Sequence, residues 1–419
     1  MTIYLPERVL VCPSGFKESL SAVDVADAIA AGVLRTLPGV RVDTFPVPDG
    51  GEGTVEILSR SAGTTVHTAT VTGPTGEPVT ARWLEYRDRS TAVIEMAQAA
   101  GLRLVPSDRR DPGRTTSRGV GELIGTVLDR GIREIIVGCG DSGTCDGGAG
   151  ALSALGARIL DEKGRELPDG GLMLSRATEI DTSGLRPELA DCRLTLACNL
   201  HNVLTGDNGV AAVFGPQKGA TRKQVRHLGK AMRRWADLLQ RTFGPDVDLR
   251  RAAGTGASGG LGAAVMALGG RAGNRFEVLL EELPSEAGLD SLISAADLVI
   301  TAEGAIDFQT PKGKVPAEIA RRARATGVPV FALAGSLGEG APDVHDMGIG
   351  ALQSIMTVPM ALEDAIRNGR DLLTEAAARA TRMLLLGCVV SGRREAEVRN
   401  SYAGAVAVGA GDGPADFSS

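Results

Sequence analysis

The sequence predicts an α/β protein of two unlike α/β domains. One is a doubly wound parallel-sheet domain, Rossmann- or flavodoxin-like, built from both chain ends; the other is a mixed α/β insertion. Three observations predict this. A chain of 419 residues is too long for one ordinary core. Strand and helix signals alternate at βαβ spacing near both termini. Between them the pattern changes to hairpin signals and glycine-rich loops. The expected boundaries are 1–65 with 289–392 for the doubly wound domain and 66–288 for the insertion. Residues 393–419, rich in Gly, Ala and Ser without a sustained period, read as a disordered tail.

Arg8 to Cys12 is a short apolar strand, followed by a loop and a helix from about Ala22 to Leu37. Val42 to Val47 reads as the next strand, running into the loop Asp49-Gly50-Gly51-Glu52-Gly53-Thr54 and a helix beginning near Val55. Val66 to Val71 and Val79 to Tyr86 alternate like paired strands around the turn Gly73-Pro74-Thr75-Gly76. Thr91 to Met96, a helix around Gly119 to Arg130 and strand Glu134 to Val137 lead into the glycine-rich stretch Gly138 to Gly150. Arg193 to Cys198 is a strand, and Arg222 to Phe243 a helix. A second glycine-rich loop, Gly254 to Gly260, runs into Leu261 to Leu268. Strands Leu298 to Ala302, Pro329 to Ala334 and Leu352 to Met356, with helix Pro316 to Thr326, restore the doubly wound style. Ala361 to Leu386 is a closing helical stretch interrupted at Gly369.

Composition excludes several function classes. Aromatics are 3% of the chain, so the core must be built from Ala, Val, Leu and Ile. The net charge is −6 and no basic stripe alternates with aromatics, which argues against a nucleic-acid surface. Arg222 to Arg234 reads as a solvated helix face. No apolar run reaches the roughly 18 residues of a membrane helix, and Met1 to Pro6 is too short for a signal peptide. A cytoplasmic protein is expected. The six cysteines and four histidines are dispersed without ligand spacing, so neither disulfides nor a structural metal is expected.

Chemistry is concentrated in loops that follow strands. In Asp49 to Thr54, three glycines let the backbone approach a ligand closely, yet the loop carries the carboxylates of Asp49 and Glu52. A divalent cation or a substrate hydroxyl between them would reconcile the two; the plain alternative is a strand-to-helix turn with an acidic cap. Lys17 and Ser19 follow the first strand, where a lysine holds phosphate or carboxylate as a point charge, or is a surface lysine. Gly138-Cys139-Gly140-Asp141-Ser142-Gly143 matches G-x-G-x-x-G after a strand, but about 140 residues too late for a dinucleotide fingerprint. A phosphate cradle including Ser142, with Asp146 as metal ligand or base, is preferred. The second hit, Gly254 to Gly259, has no convincing strand before it. Glu303, Asp307 and Gln309, with Lys312 and Lys314, follow strand Leu298 to Ala302; such a set suits magnesium-assisted phosphoryl transfer. No G-x-x-x-x-G-K-[ST] occurs, so this is no P-loop enzyme.

These segments resemble the type-1 glycerate kinase family, bacterial ATP-dependent enzymes that phosphorylate D-glycerate. The likeness runs from about Val9 to Leu386. It rests on Phe16-Lys17-Glu18-Ser19-Leu20, Asp49 to Thr54, and Thr115-Thr116-Ser117 with Gly119-Val120-Gly121-Glu122-Leu123. Phe214-Gly215-Pro216-Gln217-Lys218-Gly219-Ala220-Thr221, Gly259-Gly260-Leu261-Gly262, Glu303-Gly304 with Asp307, Gln309-Thr310 and Gly313-Lys314, and Ala334-Gly335-Ser336 complete it.

The resemblance implies ATP and Mg2+ as cofactors, a small hydroxy acid as partner, and two α/β domains with the site in the cleft; a homodimer is left open. Taken with the residue readings above, it points to Lys17, Asp49, Asp146 and Asp307 for catalysis, with Asp49 or Asp146 taking the hydroxyl proton, and to Glu303 with Asp307 for magnesium. Ser19, Glu52, Ser142, Asn199, Asn202, Gln309, Lys314, Gly259 and Gly260 would bind substrate or phosphate. The family's pattern has aspartates where this chain has Ser14 and Asn199, and Tyr where it has Arg118, which would meet a more acidic substrate. Asp141 and His201 are gains. Three classes therefore remain: a D-glycerate kinase, a kinase of another small hydroxy acid or polyol, and a catalytically weak ligand-binding homologue.

Overall fold

The computed structural model describes residues 5–17, 19–87, 90–283 and 288–409, with side chains as far as residue 394. Glu18 of the opening motif and residues 410–419 of the expected tail lie outside the described residues. In chain order the strands are β1 (Arg8–Pro13), β2 (Arg41–Thr44), β3 (Thr64–Thr72), β4 (Pro78–Tyr86), β5 (Thr91–Glu95), β6 (Glu134–Gly138) and β7 (Arg158–Leu160). They continue with β8 (Glu179–Asp181), β9 (Arg193–Cys198), β10 (Arg271–Asn274), β11 (Leu298–Ile306), β12 (Val330–Leu337) and β13 (Ile349–Ser354). The chain divides into two compact units, residues 1–45 with 290–419, and residues 46–289.

The unit built from both chain ends holds a five-stranded sheet ordered β13-β12-β11-β1-β2, parallel throughout. Counted along the chain this is the order 2-1-3-4-5, whose reversal falls between β1 and β11 and opens a crevice at their carboxyl ends. Helix Ala22–Thr36 packs on the sheet through Val25, Ile29 and Val33, which meet Val9, Val11, Ile300 and Leu333 in one core. Its first turn is capped by Ser21, whose hydroxyl accepts from the Asp24 amide at 3.1 Å. Gly32 lets the closing helix lie against it: a Cβ there would stand 2.3 Å from the Thr374 carbonyl oxygen. The closing segment breaks at Asn368, between helices Leu362–Arg367 and Gly369–Gly409. The second helix therefore runs on into the stretch whose composition reads as a disordered tail.

The middle unit holds a six-stranded mixed sheet ordered β10-β9-β6-β5-β4-β3. β3 and β4 are antiparallel neighbours, as the hairpin signal predicts; β5 is antiparallel to β4, and β5, β6, β9 and β10 run parallel. β2 ends at Thr44 rather than Val47, because prolines 46 and 48 cannot donate to a ladder. The division at Phe45 thus puts the acidic glycine loop with the middle unit, not with the ends as the expected boundary at 65 did. The carboxyl ends of β5, β6, β9 and β10 share one edge, and the loops richest in glycine and acid leave from it.

Candidate active site

In the chain-end unit, the carboxyl edge beside the β1/β11 reversal gathers one acid–lysine cluster. Lys314 Nζ lies 3.3 Å from Glu303 and 3.4 Å from Asp307, and also donates to the Ala305 carbonyl at 3.1 Å. Asp307 Oδ1 accepts from the Gln309 amide at 2.8 Å, and the Asp307 amide donates to Thr310 Oγ1 at 3.1 Å. This Asx turn fixes the carboxylate, leaving Oδ2 without a hydrogen bond among the described residues. The turn after β1 passes over Gly304 at van der Waals distance: a Cβ there would stand 3.6 Å from the Lys17 backbone nitrogen. Lys17 is exposed in that turn. Ser19 is placed differently from the expectation: its hydroxyl donates to the Ile366 carbonyl at 2.9 Å and ties the turn to the closing helices. Ser14 is 7% exposed, and its hydroxyl donates to the Ala302 carbonyl at 3.1 Å.

In the middle unit, the acidic glycine loop lies directly on the ends of β6 and β9. A Cβ on Gly50 would stand 3.0 Å from both the Ala197 oxygen and the Cys139 nitrogen, and one on Gly140 would stand 2.5 Å from Gly51 Cα. Gly50 and Gly53 have φ of +83° and +91°, which side chains rarely adopt. Asp49 Oδ1 accepts from the Gly51 amide at 2.9 Å, and Arg275 Nη1 donates to the Asp49 carbonyl at 3.2 Å. The Glu52 amide donates to Asp141 Oδ2 at 3.1 Å, and its carboxylate pairs with Arg103 at 3.3 Å. Asp141 has φ +51°, a strained left-handed value for a residue with a side chain. Its place in the loop is one where the resembled pattern has glycine. Asp49 and Glu52 thus face the surface, one third and under one third exposed.

Asp146 lies elsewhere. It is fully buried; Oδ2 accepts from the Ser117 amide and hydroxyl, each at 2.8 Å, and from the Gly150 amide at 3.2 Å, while Oδ1 accepts from the Gly148 amide at 3.2 Å. It joins the amino ends of helices Arg118–Asp129 and Ala149–Ala154, and burial pushes its carboxyl up against those four bonds. Gly259 and Gly260, at φ +76° and +95°, pack on the same stretch; a Cβ on Gly259 would stand 2.1 Å from the Thr144 oxygen. They let backbone meet backbone rather than lie open to a phosphate. Arg118 is held by Asp169 through two bonds of 2.8 Å, and so is not turned towards a substrate. Asn199 Oδ1 takes the His201 amide and Nδ1, each at 3.0 Å, and Asn202 bonds through its backbone to Asn199 and Gly256.

Two buried ionisable residues of this edge were not singled out from the sequence. Glu95 closes β5 with no exposure and accepts from the Val55 amide and Gln98, each at 3.1 Å; burial pushes it up to about 7. An acid ending the apolar run Ala92 to Ile94 was the available signal. Lys218, 3% exposed, donates to Ser142 Oγ and the Thr144 carbonyl, each at 2.7 Å; burial pushes it down to about 8. No group of three or more His, Cys, Asp or Glu stands ready for a metal among the described residues, nor is any helix long and apolar enough to cross a membrane.

A family model described as "Glycerate kinase family" matches residues 9–385. A glycerate kinase of Bacillus subtilis (strain 168) is 43% identical over 371 residues, 88% of this chain and 96% of that one. A glycerate 2-kinase of Escherichia coli (strain K12) is 42% identical over 381 residues, 91% of this chain and 98% of that one. Among solved structures, a Salmonella typhimurium LT2 protein described as a glycerate kinase 2 superimposes with a TM-score of 0.70 at 40% identity, covering 91% of this chain and 99% of its own. A match over nearly the whole chain, in both units and in motif order, leaves one assignment: the chain belongs to the glycerate kinase family.

Proposed function

We propose that this chain transfers the γ-phosphoryl group of ATP to the 2-hydroxyl of D-glycerate. The observation that carries the reading is the whole-chain identity of about 40% to proteins named glycerate kinase, each covered almost end to end. In this reading Glu303 and Asp307 hold Mg2+. One or two carboxylates plus substrate phosphates are its usual ligands, and the unbonded Asp307 Oδ2 suits that set. When bound, the ion supplies charge neutralisation to the phosphates. Lys314, already between the two acids, and Lys17 hold phosphate or carboxylate charge. Asp49, one third exposed, with Oδ1 held by the Gly51 amide and Oδ2 3.7 Å from Arg275, takes the hydroxyl proton. Asp146 is the weaker candidate for that role, because its oxygens are committed inside the unit. All six cysteines are free, as a reducing cytoplasm would keep them.

The test is a phosphate-transfer assay of purified protein with ATP, magnesium and a panel of small hydroxy acids. D-glycerate should give the highest kcat/KM; turnover no faster than the other acids would overturn the reading. Ser14 and Asn199, where the resembled pattern has aspartates, favour as second reading a kinase of another hydroxy acid, and the same panel decides. Asp49→Asn should cost more than roughly tenfold in kcat; a smaller loss removes its role as base.

A further inference from the structure

Lys218 sits in the Phe214-to-Thr221 motif, which the reaction just described leaves without a role. Its ammonium is buried at 3% exposure and makes no salt bridge among the described residues. Asp146, the carboxylate whose charge acts on it, is already occupied by four donors. A lysine left charged at such a place needs an acceptor, and it has two: the Thr144 carbonyl and the Ser142 hydroxyl. Because Ser142 Oγ accepts from the ammonium, its own O–H proton points away from Lys218. That proton meets no acceptor among the described residues.

The loop that carries Ser142 is rigid. The Gly143 amide donates to the Ala100 carbonyl at 2.8 Å, the Leu102 amide to the Asp141 carbonyl at 2.8 Å, and Thr115 Oγ1 to the Gly143 carbonyl at 2.9 Å. Ser142 itself is half-buried at the carboxyl edge of the sheet. A fixed hydroxyl that accepts from a cation and keeps its own proton to donate elsewhere is a donor for an oxyanion.

We propose that Lys218 is a positioning residue of the reaction: it orients and polarises the Ser142 hydroxyl, already expected among the substrate- or phosphate-binding groups, as a donor to an oxyanion. The ligand class is a carboxylate or phosphate oxygen. The proposal rests on the functional reading above, which supplies both the hydroxy acid and ATP as sources.

The test compares Ser142→Ala, Ser142→Thr, Lys218→Met and the double variant Ser142→Ala/Lys218→Met, with KM measured separately for D-glycerate and ATP. Loss of a charge-assisted hydrogen bond should raise one of the two KM values roughly tenfold in Ser142→Ala, with kcat changed less than about threefold. The KM that moves identifies the source: D-glycerate for carboxylate, ATP for phosphate. Lys218→Met should raise the same KM, the double variant should be no worse than either single one, and Ser142→Thr should retain most of the affinity. Unchanged KM values in Ser142→Ala overturn the proposal. So do additive effects, or a Lys218→Met that loses melting temperature with both KM values intact. Should Lys218→Met fail to fold, Lys218→Gln takes its place. If the wild type does not phosphorylate D-glycerate, the functional reading falls. The hydroxyl is then read from the thermal shift given by ATP alone and by D-glycerate alone: a shift lost in Ser142→Ala supports it, and equal shifts overturn it.

Discussion

Removal of the Asp146 carboxylate should unfold the middle unit before it touches the chemistry. In Asp146→Ala four donors lose their acceptor at a site with no exposure: the Ser117 amide and hydroxyl, and the amides of Gly148 and Gly150. Each stranded buried donor costs about 1–3 kcal/mol, and the Ser117 hydroxyl can rotate to another acceptor, so a net loss of about 4 kcal/mol is expected. For a unit of this size that is about 8–16 °C in Tm. Asp146→Asn is milder. Its amide oxygen can take the three bonds now made to Oδ2, leaving the NH2 group against the Gly148 amide, one opposed pair costing about 1–3 kcal/mol. Thermal unfolding followed by circular dichroism, beside kcat per folded molecule, reads both. The expected order is wild type, then the asparagine variant, then the alanine variant, with kcat of the asparagine variant within about fivefold of wild type. A loss of more than about a hundredfold in kcat with Tm unchanged would show that Asp146 acts in the reaction.

Two further outcomes concern the middle unit and a third the chain-end cluster. Glu95, raised from 4.5 to about 7, ionises more readily in the unfolded chain; its stability is full below about pH 4.5 and lost as pH rises through 7. The size is about 3 kcal/mol, and Tm measured from pH 5 to 8 should show this fall in the wild type and not in Glu95→Gln. Asp141→Gly relieves a left-handed strain of about 1 kcal/mol but removes the bond to the Glu52 amide, so Tm should change little. Amide exchange at Glu52 should nonetheless quicken about tenfold or more. Lys314→Met leaves Glu303 and Asp307 without their shared cation, and should raise the KM for ATP roughly tenfold; an unchanged value would remove Lys314 from phosphate binding.

The ends of the chain were legible because β1, β11 and β12 each begin with a short, mostly apolar and buried run, and such runs read as parallel strands. β10 was not: Arg-Ala-Gly-Asn has no apolar pattern, and its strand character comes from pairing with β9 in the folded unit. The closing helix was legible as far as the apolar period lasts, and Asn368 breaks it beside the suspected Gly369. The Asp49-to-Thr54 loop is visible in the sequence as acids among glycines, a pattern that alone suits a turn as well as a site, but what fixes it is not, since Asp141 lies 89 positions from Glu52. Asp146 shows the harder limit. An acid among glycines looks the same in sequence whether it faces a ligand or joins two helix ends, and only the neighbouring Ser117 and its helix decide. The clustering of Glu303, Asp307 and Lys314 was accessible because all three lie within one strand-turn-helix connection. Gly259 and Gly260 are expected to bind substrate or phosphate, whereas their positive φ values serve a close crossing of two loops.

That kind of crossing has an entropic consequence where the acidic loop lies on β6 and β9. Gly50 and Gly51 meet Gly138, Cys139 and Gly140 through backbone, with the Asp141 carboxylate beside Gly51, so few side-chain rotamers are frozen at the contact. The ordering cost is therefore met when the unit folds, not when a ligand arrives. Asp49 and Glu52 are presented on a support that is already still, and affinity differences among ligands at this loop should come from charge and shape, with little conformational entropy left to vary.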